Sequence, residues 1–156
     1  MKEYKTNLPQ FHLVKEESDF KRVKITSSKD AAEYAHNFYG TDIGIFESFF
    51  VMLMNNANNT IGYVKISQDG IVGTIVDIRI IAKYAVDALA IAVILVHNHP
   101  SGTLKASEAD KQLTKRIKAG LDTLEIKVLD HIIIIPKGKW DIKGVQYTSM
   151  ADDGLM

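Results

Sequence analysis

Cysteine is absent from the 156-residue chain. Disulfides, thiolate nucleophiles and cysteine-ligated zinc are therefore excluded, and any bound metal has to be held by histidine and carboxylate. An excess of charge is lacking too: 19 Lys plus Arg stand against 19 Asp plus Glu, a net charge of zero. Sequence-independent nucleic-acid binding depends on neutralising phosphates, so this balance speaks against it and leaves only local patches. Long apolar runs are missing as well. The longest, Ala88 to Val96, is far short of the roughly 20 residues a membrane-spanning helix needs. The first twenty residues, MKEYKTNLPQFHLVKEESDF, hold no apolar core of signal-peptide length. A cytoplasmic location without a membrane partner is the expectation. No internal repeat or low-complexity segment stands out.

What is present is the balance of a globular protein, 46% apolar and 24% charged, in a chain of the length of one ordinary domain. Residues 1–19 are polar and irregular and read as an N-terminal arm, 20–148 as the domain, and 149–156 as a C-terminal tail. A short strand is expected over Phe20 to Thr26. Ser27, with Asp30 three residues on, opens a helix that Gly40 stops. Phe46 to Met54 is apolar on both faces, as a strand in the middle of a covered sheet must be. The Asn-rich turn 55–59 returns the chain as a paired strand from Thr60 to Ser67, and Gly70 and Gly73 bracket a further turn or short strand. Asp77 caps a helix carrying Ile78, Ile81, Ala85, Ala88 and Leu89 at the 3.6-residue period. Ile91 to Val96 is a central strand, Ser107 to about Leu124 a helix, and Lys127 to Ile135 another strand. Trp140 to Thr148 has no readable pattern. The alternation predicts an α/β fold, a mixed sheet with helices on both faces.

The segment VILVHNHPSGTLKASEAD, residues 93 to 110, carries the chemistry. His97 and His99 stand two apart at the end of an apolar strand, so both side chains point to one side. Two imidazoles placed there can converge on one metal ion. Pro100, Ser101 and Gly102 break the strand at once, leaving the pair at a rim where open α/β sheets carry their sites. Seven residues separate His99 from Ser107. If Ser107 caps the following helix, Asp110 lies in its first turn and its carboxylate can face back as a third ligand. Two histidines and a carboxylate leave a fourth tetrahedral position for water, the arrangement of catalytic zinc. Water at such a site needs a base. Glu47, near the start of an otherwise apolar strand, is the candidate.

His97-x-His99, seven residues, Ser107, two residues and Asp110, with Glu47 upstream, resembles the JAMM (MPN-plus) motif. The Glu-x-Phe at 47–49, AVILVHNHPSG at 92–102, the Ser-x-x-Asp helix start and LDHIII at 129–134 are more similar still to RadC-like proteins. The resemblance covers roughly residues 25 to 140. It implies a JAB/MPN domain with a cytidine-deaminase-like three-layer architecture, and a Zn2+ ion on His97, His99 and Asp110. It also implies Glu47 as general acid/base and Ser107 as the donor to a tetrahedral oxyanion. The activity implied is cleavage of a peptide or isopeptide amide in a peptide or protein substrate. The alternative is a DNA-repair-associated accessory that uses the fold for binding. RadC-like proteins commonly carry an N-terminal helix-hairpin-helix module, and the arm here is too short for one.

Plainer explanations compete at several positions. Ser107 and Asp110 also form a common helix start, and both uses can hold together. Glu47 could instead pair with Arg79 or a lysine. His131 reads as a buried histidine bonded to a neighbour rather than as a ligand. His12 and His36 carry no assigned function, and Ser101 is accounted for by its turn. Lys111, Lys115, Arg116 and Lys118 read as a solvated helix face. A zinc deaminase needs cysteine ligands and is excluded. Selectivity is assigned to the turns 55–59, 68–74 and 100–106, none of which names a substrate, and the oligomeric state is not readable.

Overall fold

A strand buried on both faces needs cover on both sides, and that requirement organises the chain. The computed structural model describes residues 21–69, 75–136 and 146–156. The elements are α1 (Ser28–Ala35), β1 (Glu47–Met54), β2 (Thr60–Asp69), α2 (Ile78–Asp87), β3 (Ala92–Asn98), α3 (Glu108–Asp122), β4 (Lys127–Ile134) and β5 (Tyr147–Ser149). Among the described residues the strands form one sheet in the order β2-β1-β3-β4-β5. β1 runs antiparallel to β2 and β3, β4 is parallel to β3, and β5 is antiparallel to β4. The sheet is mixed, as the sequence predicts.

Alternation along each strand builds two cores. Phe50, Met52, Met54, Ile94, Val96, Ile132 and Ile134 pack with Ala31, Ala32 and Ala35 of α1 on one face. Phe49, Val51, Leu53, Val93 and Leu95 pack with Ile81 and Ala85 of α2 and Ile117 and Leu121 of α3 on the other. All of β3 is buried between its neighbours. Each fully buried Ile, Leu or Phe contributes about 1.5–3 kcal/mol relative to exposure, so the central strands are the most firmly held part of the fold. This is the three-layer α/β architecture.

The departures from expectation have local causes. The first helix ends at Ala35, not at Gly40, and tightens into 3-10 turns at His36–Phe38 and Thr41–Gly44. The tightening brings Phe38 against the sheet, where its ring stacks on Tyr63 at 3.8 Å between centroids. The second helix stops at Asp87: Ala88 caps it, and Leu89 turns out to solvent at φ 52 instead of completing the apolar stripe. The strand expected from Phe20 to Thr26 is reduced to a single bridge between Lys24 and Asn59, and Phe20 lies outside the described residues. So do the arm, the Gly70 and Gly73 turn, and Trp140. The segment without a readable pattern ends in β5, and Ser149 and Met150, read above as the start of a tail, are both buried. No helix among the described residues is long and apolar enough to cross a membrane.

Candidate metal centre

Register places the site. His97 is paired with Phe49, so it shares the face covered by α2 and α3. Glu47, two residues back along β1, falls on that face by the same alternation, and His99 follows just beyond β3. The chain then reverses: the Gly102 amide donates to the His99 carbonyl at 3.0 Å, with Gly102 at φ 86, a conformation that costs a side-chain-bearing residue strain. Five residues on, Ser107 caps α3 with a full capping box. The Ser107 hydroxyl and amide both donate to Asp110 Oδ2 at 2.7 Å, and the Asp110 amide donates back to Ser107 Oγ at 3.1 Å. The box fixes the carboxylate in the first turn, facing β3.

The three groups meet. His97 Nε2 lies 2.9 Å from His99 Nε2 and 3.2 Å from Asp110 Oδ1, and His99 Nε2 lies 3.5 Å from Asp110 Oδ2. Ligands about 2.0–2.1 Å from a tetrahedral zinc ion are separated by roughly 3.3 Å, and these spacings bracket that value. The donor chemistry fits as well. His99 Nδ1 is 2.6 Å from the Thr103 carbonyl, which can only accept, so Nδ1 carries the proton and the neutral ring offers a lone pair at Nε2. His97, His99 and Asp110 are thus a group able to hold a metal ion. Two ring nitrogens and a carboxylate at these distances need a cation or a shared proton between them.

Electrostatics agree. Burial raises the Asp110 carboxyl, but the facing His97 and His99 rings and the Ser107 hydroxyl outweigh it and hold the group far below the usual carboxylate range. Burial lowers His99, and Asp110 with the Thr103 carbonyl reverses that, leaving it raised. Burial, with His97 alongside, pushes His131 well below its ordinary value, so that ring is neutral. A cavity of about 500 Å³ opens onto the group, lined among others by Glu47, Phe49, Val76, His97, Ser107 and Asp110.

The structure therefore brings all five sequence-assigned residues to one place: three at the point of convergence, Ser107 bonded to Asp110, and Glu47 on the cavity wall. Arg79, the rival partner for Glu47, pairs with Asp77 at 2.7 Å. Lys111 pairs with Glu108, and Arg116 donates to the Val76 carbonyl. The turn 55–59 lies at the far end of β1 from Glu47, so it is withdrawn as a selectivity element. Because Ser107 bonds both ways with Asp110, Ser107→Ala is expected to lower the unfolding free energy by about 1 kcal/mol, read from the urea midpoint.

Behind the site stands a buried residue without a role assigned from the sequence. Asn98, fully buried between the two histidines, points to the opposite face. Its Nδ2 donates to the carbonyls of Ile43 and Phe46 at 2.7 and 2.8 Å, and its Oδ1 accepts from the Ser48 amide at 2.7 Å. That clamps the chain on both sides of Glu47. The signal was present: an amide inside an apolar strand must find partners. His131 reaches His97 Nδ1 through its Nε2 at 2.7 Å, the buried, bonded histidine that was expected.

A family profile for a RadC-like JAB domain matches residues 25–155. Among curated proteins the chain is 42% identical over 139 residues to a UPF0758 protein of Flavobacterium johnsoniae, covering 89% of this chain and 56% of that one. It is 38% identical over 136 residues to a UPF0758 protein of Porphyromonas gingivalis, covering 87% and 56%. A UPF0758 protein of Chlorobaculum parvum is 34% identical over 111 residues, 71% of this chain and 49% of that one. The chain spans about half the length of the curated relatives it matches. With the layered mixed sheet and the His-x-His strand end facing a capped aspartate, these matches establish that the chain belongs to the RadC-like JAB domain family.

Proposed function

We propose that this domain is a zinc-dependent hydrolase that cleaves an amide bond, peptide or isopeptide, in a peptide or protein substrate. The observation that carries the reading is the convergence of His97 Nε2, His99 Nε2 and the Asp110 carboxylate at ligand spacing, on the wall of an open cavity that also holds Glu47. Two histidines and one carboxylate, with no fourth protein ligand among the described residues, are the donor set of a catalytic ion. Zinc bound there supplies Lewis acidity to the substrate carbonyl and to water.

The chain's own residues do the rest. Glu47 takes the proton from the attacking water and returns it to the departing amine, which avoids expelling an amide anion. Ser107 is assigned as hydrogen-bond donor to the developing oxyanion. Its hydroxyl donates to Asp110 Oδ2, so that role requires the hydroxyl to swing toward the cavity as the carbonyl becomes tetrahedral. Phe49 and Val76 give the cavity apolar walls, which limit water around the reacting groups.

The test is direct. Zinc-loaded protein incubated with a mixed peptide library and with isopeptide-linked peptides is expected to give amide cleavage products by mass spectrometry. A chelator should abolish them and added zinc restore them. Products that persist through chelation, or no amide cleavage in either library, would remove the hydrolase reading.

A further inference from the structure

The histidine that is not a ligand has the more informative surroundings. His131 faces α3 from β4, is fully buried, and stands between two polar groups. Its Nε2 is 2.7 Å from His97 Nδ1, and its Nδ1 is 2.6 Å from Thr114 Oγ1. Thr114 Oγ1 is in turn 2.7 Å from the backbone carbonyl of Asp110, one helical turn earlier. Each link could carry its proton in either direction, except the last. A carbonyl has no hydrogen to give, and two oxygens at that distance need one between them, so the Thr114 hydroxyl donates to Asp110. The weaker alternative acceptor, Met150 Sδ at 3.6 Å, does not compete.

From that fixed end the whole chain has one polarity. Thr114, having spent its only proton, accepts from His131, so His131 is protonated at Nδ1 and bare at Nε2. His131 Nε2 then accepts from His97 Nδ1, which leaves His97 Nε2 as a lone pair aimed at His99 and Asp110. The reverse polarity would put a hydrogen on His97 Nε2, pointing it into the place a metal ion must occupy.

We propose that Thr114 and His131 are positioning residues that lock His97 in its metal-binding tautomer, with the Asp110 carbonyl setting the direction of the chain. The need for a lock is specific to His97. Its partner ligand His99 leans on a carbonyl, which admits one tautomer only. His97 leans on another imidazole, which would accept or donate equally well if nothing stood behind it. Helix α3 therefore serves the site twice, with the Asp110 carboxylate in front and, four residues on, the hydroxyl that orients the opposing ligand from behind. This inference rests on the metal-site part of the proposed function, not on the hydrolytic step.

Two readouts test it. Long-range proton–nitrogen spectra of the metal-free full chain, at a pH where the imidazoles are neutral, should show His97 and His131 both protonated at Nδ1. In Thr114→Val, which keeps the side-chain shape and removes the hydroxyl, both rings should shift toward the Nε2-protonated form. Zinc affinity, measured by competition with a chromophoric chelator, should fall about 10–100-fold in that variant and return to within a few-fold of the parent in Thr114→Ser. A parent spectrum with His131 protonated at Nε2 overturns the proposal even if Thr114→Val does not fold. So does a folded Thr114→Val that binds zinc as tightly as the parent. If the parent binds no zinc at all, the metal reading fails, and the spectra still decide the tautomers.

Discussion

Purified His97→Ala/His99→Ala protein is expected to contain no zinc above background, where the parent retains about one ion per chain. Elemental analysis after dialysis against a weak chelator reads the difference. The double variant isolates coordination better than a change at Asp110, whose carboxylate also closes the capping box of α3. Removing Asp110 would weaken the helix start as well as the site, and the two losses would be confounded. The histidines carry a smaller structural burden, although not none: His97 is 1% exposed, and its removal strips His131 of its partner and opens a void beneath Phe49. The control is therefore thermal unfolding with and without chelator. A ligand that binds only the folded state stabilises it in proportion to its binding free energy, so chelation should lower the parent's midpoint and leave the variant's unchanged. A folded double variant that kept its full zinc content would refute the ligand assignment and take the hydrolase proposal with it.

The positions of the three converging groups were readable because each follows from a local rule. Spacing by two on a strand puts His97 and His99 on one side, and Ser-x-x-Asp at a helix start turns Asp110 inward. The layers were readable from β1 and β3, whose two-faced apolar runs admit no other place than the sheet's middle. What escaped is non-local. That Glu47 stands on the face of His97 depends on the antiparallel register that sets Phe49 opposite His97, and no spacing between residues 47 and 97 encodes it. Thr114, and the ties of His131 to it and to His97, escaped for the same reason. Each residue sits on an element whose own pattern is satisfied, Thr114 as a small residue on the buried face of α3 and His131 beside Asp130 in a strand otherwise mostly apolar. Only the parallel pairing of β3 with β4 under α3 brings them to the site. Leu89 failed differently: its spacing suited the helix, but the turn into β3 demanded a left-handed residue at that place.

Glu47→Gln is expected to keep its zinc and to lose roughly 10²–10⁴-fold in turnover. The substitution is close to isosteric and removes only the capacity to take up a proton, so it separates chemistry from assembly. Nothing in the coordination geometry depends on Glu47: His97, His99 and Asp110 are oriented by His131, Thr103 and Ser107 respectively. The start of β1, which carries Glu47, is held by Asn98, whose three hydrogen bonds go to main-chain atoms of Ile43, Phe46 and Ser48 and are indifferent to the side chain at 47. Metal content, fold and the position of residue 47 should therefore all survive. The discriminating quantity is kcat on whichever amide substrate the parent cleaves, with KM little changed, because the lost interaction is one made during proton transfer. A carboxylate acting only through its charge would give a different pattern. The neutral Gln would then weaken zinc retention, because the attraction of the Glu47 carboxylate for the ion is lost, and leave turnover of the loaded protein near that of the parent. Undiminished kcat with zinc in place would remove Glu47 from the proton-transfer role and require another base on the cavity wall.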